Sequence, residues 1–139
     1  THSDLFVTMW YAIWNPANGS LSYASAGHNP PLVINAGGGS VQKLRLKGIA
    51  LGVLDSITLG SARITLVSGD TLVMYTDGIT EAHDADDVEF GTSGLEIATR
   101  TYCAGSAEDT LRGIITALDR HTGIEPQFDD LTLVVVRRA

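Results

Sequence analysis

Residues 71–82 read TLVMYTDGITEA. The run from Thr71 to Thr76 is almost continuously apolar, which predicts a strand in a central position of a sheet. Asp77 and Gly78 follow directly at its carboxyl end. An Asp-Gly pair after a strand is by itself more often a simple turn than a functional site. Its meaning therefore depends on what the rest of the chain places beside it.

A second acidic pair lies near the other end of the chain. Asp129 and Asp130 directly precede the apolar run Leu131 to Val136, which predicts a closing strand. If the two strands are antiparallel neighbours, the end of the first lies beside the start of the second and the carboxylates converge. Converging carboxylates without His or Cys suit a hard divalent cation, Mg²⁺ or Mn²⁺. Gly78, which has no Cβ, lets a main-chain carbonyl approach such an ion or adopts a positive φ.

The other predicted elements are strands in the first half and helices in the last third. We predict strands over residues 6–14, 21–25, 32–34, 41–46 and 63–67, a hairpin turn over 15–19, a helix over 94–102, and a second helix from the N-cap Ser106 to a stop at Gly123. No repeat, low-complexity tract or linker interrupts them. We therefore expect a single domain over residues 1–139.

The composition is that of an ordinary globular protein. The chain has 139 residues, 44% of them hydrophobic, and 9 Lys and Arg against 16 Asp and Glu give a net charge of −7. This charge argues against nucleic acid as the partner. No apolar run reaches the roughly 20 residues that cross a bilayer. The lone Cys103 forms no disulfide within the chain, and we expect an inert thiol and a cytoplasmic location.

The acidic residues are concentrated in one short stretch without basic residues. Its members are Asp77, Glu81, Asp84, Asp86, Asp87 and Glu89. A solvated acidic loop and a cation site anchored by Asp77 are both consistent with this pattern. A calcium site built on the later members has little support, because the ordered twelve-residue loop pattern is absent.

Two further groups have a structural and a functional interpretation. His28 lies in a proline-bounded loop, where it either contacts a phosphate or makes a structural hydrogen bond, and we favour the hydrogen bond. Trp10, Tyr11 and Trp14 are expected to pack in the sheet. They form an exposed patch if a further segment normally covers them, and bared strand edges then favour a homodimer.

Five stretches in order resemble the SpoIIE/RsbU-like branch of the PPM-type metal-dependent serine/threonine protein phosphatases. They are FVTMWY at 6–11, LSYASAGHNPPL at 21–32, GIALG at 48–52, GDTLVMYTDGITEA at 69–82 and DDLTLVV at 129–135. The resemblance runs nearly end to end. The fourth and fifth stretches are its most specific part.

The resemblance implies a fold and a set of ligands. The fold is α+β, an antiparallel β-sandwich flanked by helices, with two Mn²⁺ or Mg²⁺ ions at one edge. Asp77 and Asp129 would be metal ligands, Gly78 a main-chain contributor, and Asp130 a support behind the ligands. The reaction implied is hydrolysis of phosphoserine or phosphothreonine in a protein by metal-activated water. In this family the protein is commonly a phosphorylated anti-sigma factor antagonist.

One part of the family's pattern is missing. The early motif, whose Asp bridges both metals, lies upstream of the strand that matches residues 6–14, and Asp4 is too close to that strand to replace it. The chain is therefore expected to be the C-terminal portion of the domain, with little phosphatase activity of its own. The alternative is a non-catalytic module of the same fold that binds a phosphoprotein without hydrolysing it.

Overall fold

The computed structural model describes residues 5–139, so Asp4 lies outside the described part. In chain order the elements are β1 (Met9–Asn15), β2 (Ser20–Ala26), β3 (Leu32–Ile34), β4 (Val41–Lys43), β5 (Ser61–Thr65), β6 (Thr71–Tyr75), α1 (Asp77–Thr80), α2 (Gly91–Tyr102), α3 (Ala107–Thr122) and β7 (Leu133–Arg137). Strands fill the first half and helices enter late, as the sequence predicts. The helices among these residues are too short and too polar to cross a membrane.

The strands form two antiparallel sheets. One sheet has the order β1-β2-β5 and the other β4-β3-β6-β7. The predicted hairpin is confirmed, because β1 and β2 pair from Met9 with Ala26 to Asn15 with Ser20. The predicted central position of β6 is also confirmed, since it pairs with β3 on one side and β7 on the other. Strands β6 and β7 are therefore antiparallel neighbours.

The four-stranded sheet is covered on both faces, which divides the core in two. Alternate residues of β3 and β6 face opposite ways: Leu32 and Val73 pack with residues of α2 and α3, whereas Val33 and Leu72 pack toward the three-stranded sheet. This double covering explains why β6 lacks the polar alternation of a half-buried strand. The layers run from the three-stranded sheet through the four-stranded sheet to the helices.

The core between the sheets contains both tryptophans of the chain. Trp10 and Trp14 pack against this core, and Trp10 stacks on Tyr23 with ring centroids 5.6 Å apart. Neither indole N–H has a hydrogen-bond partner among the described residues. Tyr11, on the opposite face of β1, is 59% exposed. The sheet-packing interpretation therefore holds for the tryptophans, and Tyr11 lies on the outer surface of the described part.

Helix α3 has the boundaries that its sequence predicts. Ser106 is the N-cap of a capping box in which its side chain accepts from the Asp109 N–H and its own N–H donates to the Asp109 carboxylate. The Ser106 N–H and the Ser106 hydroxyl both donate to the Asp109 carboxylate, and these two bonds hold the pKa of Asp109 below its usual range. Gly123 ends the helix with a positive φ. Local capping chemistry was thus sufficient to place both ends.

Other boundaries differ from the predictions. Helix α2 begins at Gly91 rather than at residue 94. Gly94 lies inside the helix, where a Cβ would lie 2.8 Å from the Phe90 ring. Strand β1 begins at Met9 rather than residue 6, although Val7 exchanges two backbone hydrogen bonds with Leu51. Strand β4 ends at Lys43 rather than residue 46, since Leu44 donates instead to the Pro31 carbonyl.

Helix packing gives a test of the core. A Cβ at Gly113 of α3 would lie 2.1 Å from the Tyr102 ring. We expect Gly113→Ala to lower the free energy of unfolding by about 1–2 kcal/mol, because overpacking outweighs the gain in helix propensity. Urea denaturation measures this change. Gly39→Ala is the matched control, since no atom lies within 4 Å of its Cβ, and an equal loss in both variants would contradict the packing argument.

Candidate metal centre

The site begins where the β6–β7 pairing continues beyond the strands. The Thr76 N–H donates to the Thr132 carbonyl at 3.1 Å, and the Thr132 N–H donates to the Thr76 Oγ1 at 3.1 Å. The same hydroxyl donates to the Asp130 carbonyl at 3.3 Å. These bonds fix the segment before β7 against the end of β6. Asp77 and Asp129 are thereby brought to one edge of the sheet.

A short helix adds a third carboxylate. Helix α1 begins at Asp77, and Glu81 follows its last residue as the C-cap, donating its N–H to the Asp77 carbonyl at 2.8 Å. Residues four apart on a helical turn lie on the same side. Carboxylate oxygens of Asp77, Glu81 and Asp129 all lie within 4.8 Å of one another, and all three residues are exposed. The expected convergence of Asp77 and Asp129 is therefore present in the structure.

Glu81 was not among the predicted ligands, although the sequence carried a signal for its place in the cluster. The spacing from Asp77 to Glu81 has the helical period, but no helix is predicted there from the sequence. A four-residue helix is too short to produce an amphipathic pattern. Recognition of α1 would have added Glu81 to the predicted ligands.

Gly78 is required by a close approach of the main chain. It lies inside α1 and is not among the positive-φ glycines. A Cβ at this position would lie 2.3 Å from the Asp130 carbonyl oxygen. The expected positive φ is therefore absent, and the structure gives a reason that the sequence did not offer, the close approach of the Asp130 main chain. Any larger residue would push α1 away from the segment that carries Asp129.

The Asp129 carboxylate is oriented by its own loop. Its Oδ1 accepts the Asp130 N–H at 2.7 Å, and its carbonyl accepts from the Gln127 side chain at 2.8 Å. Phe128 stacks on His83, with centroids 4.8 Å apart and an interplanar angle of 20°. This stack joins the Asp129 loop to the segment that follows Glu81. Asp130 contributes its main-chain groups to these contacts.

The donor set fits a hard divalent cation. All three side chains are carboxylates, and oxygen donors are those that Mg²⁺ and Mn²⁺ prefer. The cluster has no His or Cys member, which disfavours a zinc site. Its exposure leaves room for water to complete the coordination. Among residues 5–139 this is the one group of three potential ligating side chains that lie so close together.

The later acidic residues form a structured turn instead. The Asp84 carboxylate accepts from the N–H groups of Asp86 and Val88, both at 3.0 Å. The Val88 bond is the main reason that the pKa of Asp84 lies below its usual range. Asp87 has a positive φ of 63° within the turn. The acidic stretch is therefore divided between a carboxylate cluster and a loop.

His28 lies apart from this cluster. Its Nδ1 is 3.0 Å from the Thr8 Oγ1, so the ring links the loop after β2 to the segment before β1. It lines a cavity with Arg45 and Lys47 rather than with Asp77. This contact is of the structural kind that the sequence favoured.

The family follows from comparison with known proteins. The family model for stage II sporulation protein E (SpoIIE) matches residues 1–139. The chain belongs to the SpoIIE family. The SpoIIE-family chain is 32% identical to protein IcfG of Synechocystis, over 99% of the chain and 22% of that protein. It is 28% identical to phosphoserine phosphatase RsbU of Bacillus subtilis, over 98% of the chain and 40% of that protein.

Solved structures confirm the fold. The SpoIIE phosphatase domain of Bacillus subtilis, presoaked with Mn, superimposes with a TM-score of 0.70 at 21% identity, over 94% of this chain and 56% of that one. The RsbU and RsbW domains of a Mycobacterium tuberculosis protein give 0.75 at 24% identity, over 94% and 36%. These likenesses confirm the predicted α+β architecture of two antiparallel sheets flanked by helices, and the match to the family model confirms the predicted SpoIIE/RsbU-like branch. This SpoIIE-family chain spans less than half of the curated relatives it matches.

The Thr76 contacts give a test of how the site is held. Thr76→Val keeps the shape but removes the hydroxyl that accepts from Thr132 and donates to Asp130. We expect a loss of about 1–2 kcal/mol in stability and amide exchange at Thr132 on the order of tenfold faster. Hydrogen exchange followed by NMR measures this. Thr76→Ser retains the hydroxyl and should behave as the parent, and identical exchange in both variants would refute this role.

Proposed function

We propose that the chain is the part of a PPM-type protein phosphatase that carries the later metal ligands, and that it acts on phosphoserine or phosphothreonine. The observation that carries this proposal is the convergence of Asp77, Glu81 and Asp129 where β6 and β7 meet. Membership of the SpoIIE family supports it. The name of the relative RsbU, a phosphoserine phosphatase, gives the substrate class.

The residues of the cluster have distinct proposed roles. Asp77, Glu81 and Asp129 hold Mn²⁺ or Mg²⁺, two ions in the complete site. Gly78 keeps α1 close to the Asp130 main chain, and Asp130 orients the Asp129 carboxylate through its N–H. Bound divalent ions in such sites supply Lewis-acid activation of water and charge neutralisation of the phosphoryl group. The protein's task is to fix the ligands and leave the edge open to water and substrate.

The physiological substrate in this proposal is a phosphorylated regulatory protein of bacterial signal transduction, such as an anti-sigma factor antagonist, in the cytoplasm. The exposed cluster is accessible to a phosphorylated side chain on a folded protein. The net charge of −7 keeps nucleic acid out of the proposal. A homodimer is a further part of it, because β1 and β7 lie at the edges of the described sheets and can add strands.

Metal binding tests the proposed ligands. We expect Asp77→Asn, Glu81→Gln and Asp129→Asn each to weaken Mn²⁺ binding about 100-fold or more, because each removes one of three charged donors. Isothermal calorimetry measures the affinity. Asp86→Asn is the matched control, since it changes an exposed aspartate outside the cluster. Equal affinities in Asp77→Asn and Asp86→Asn would reject this assignment.

Turnover is a separate test. Three carboxylates are few ligands for two ions, and we expect the chain alone to hydrolyse a phosphoserine peptide slowly even when saturated with Mn²⁺. A phosphate-release assay measures the rate. Robust Mn²⁺-dependent turnover that disappears in Asp77→Asn would show that the described ligands suffice. Binding of the peptide without hydrolysis is the behaviour expected of the chain.

A further inference from the structure

A cavity of about 320 Å³ lies beside the carboxylate cluster and carries both signs of charge. Asp77 and Glu81 line one part of it, and Lys43 and Arg45 line another. The two basic residues come from β4 and the residues directly after it. A substrate phosphate beside Asp77 would therefore lie in a cavity that Lys43 and Arg45 also line.

Only one of these two basic groups is available to a ligand. The Lys43 ammonium is 2.8 Å from the Glu96 carboxylate, and both side chains are partly buried. Arg45 is exposed, and among residues 5–139 no carboxylate oxygen lies within 4.0 Å of its guanidinium. Its side chain also makes no hydrogen bond to the described residues. Within the described part of the chain the Arg45 charge is thus unpaired, and it borders the cavity.

Tyr75 of β6 belongs to the wall of this cavity. It is buried and lines the same cavity as Arg45 and Asp77. Arg45 and two members of the carboxylate cluster therefore border one cavity beside the end of β6.

A phosphate needs such a cation at this place. The three carboxylates of the cluster repel a phosphate dianion. The same carboxylates would also neutralise part of the positive charge of a bound metal ion. A guanidinium donates two parallel N–H bonds to two phosphate oxygens, a geometry that an ammonium cannot offer. His28 shares a second cavity with Arg45 but does not line this one, and its Nδ1 lies 3.0 Å from the Thr8 hydroxyl. Of the residues that line this cavity, Arg45 is the one that combines a guanidinium with the absence of a carboxylate partner among residues 5–139.

We propose that Arg45 binds the phosphoryl group of the substrate and positions it beside the Asp77, Glu81 and Asp129 cluster. The inference rests on the proposed phosphatase function and adds a substrate-binding residue to it. In this arrangement Asp77 and Glu81 bind the metal, and Arg45, which lines the same cavity, binds the phosphate. Arg45 contacts substrate and leaves metal affinity to the carboxylates.

The test is a titration of the isotope-labelled chain with phosphoserine, followed by NMR with and without Mg²⁺. We expect Arg45→Gln to weaken phosphoserine binding by about 10-fold or more, because a bidentate charged contact is lost. Arg45→Lys keeps the charge without the fork and should fall between Arg45→Gln and the parent. The Mg²⁺ affinity of Arg45→Gln should be unchanged or slightly higher, since a positive charge is removed.

Arg63→Gln is the matched control. It removes the same charge from β5 in the other sheet, where Arg63 donates to Ser22 at 3.0 Å, and we expect less than about a twofold effect on phosphoserine. The proposal is overturned if Arg45→Gln and Arg63→Gln weaken phosphoserine binding equally. It is also overturned if the parent chain binds no phosphoserine, or if Arg45→Gln weakens Mg²⁺ binding as strongly as Asp77→Asn.

Failure of the phosphatase proposal gives a different result. If the parent chain binds no Mg²⁺, the metal assignment is wrong, and the titration without Mg²⁺ still tests Arg45. Phosphoserine binding that depends on Arg45 in the absence of metal would support a phosphate subsite on a chain without catalytic ions. Metal binding that depends on Asp77, with phosphoserine binding indifferent to Arg45, would keep the phosphatase proposal and remove this one.

Discussion

The pairing of β6 with β7 is the constraint on which the candidate site depends. Residues far apart in sequence meet there because two antiparallel strands lie side by side and Thr76 extends their hydrogen bonding to the Asp130 carbonyl. The carboxylates then converge without any direct bond between them. Such convergence of like charges is unfavourable by itself. The strand pairing imposes it, and a cation would relieve it.

The predictable part of this molecule is the part that local sequence specifies. The buried strand at Thr71, the capping box at Ser106 and the hairpin at residues 15–19 all follow from composition and turn chemistry over a few residues. The order of the acidic pairs relative to their strands also predicted the meeting of Asp77 with Asp129. These features depend on periodicity and backbone chemistry, which a single sequence displays.

The features that could not be predicted depend on contacts across the fold. Glu81 joins the cluster only because α1 forms, and a helix of four residues has no sequence pattern of its own. Helix α2 begins three residues before its predicted start, and Gly94 lies inside it beside the Phe90 ring, which leaves no room for a Cβ there. Arg45 was one basic residue among nine until the structure placed it beside Asp77. In each case the role of the residue depends on a contact in the folded chain that the sequence pattern does not display.

The location of the two tryptophans has a spectroscopic consequence. Both belong to β1 and pack against the core between the sheets, while the carboxylate cluster lies at the edge where β6 meets β7. Trp10 and Trp14 are also the chain's whole complement of indoles. Intrinsic fluorescence of this protein therefore reports on the separation of the two sheets, with the helical layer contributing no indole signal. The emission maximum and the access of a quencher to the indoles would change when the two sheets separate.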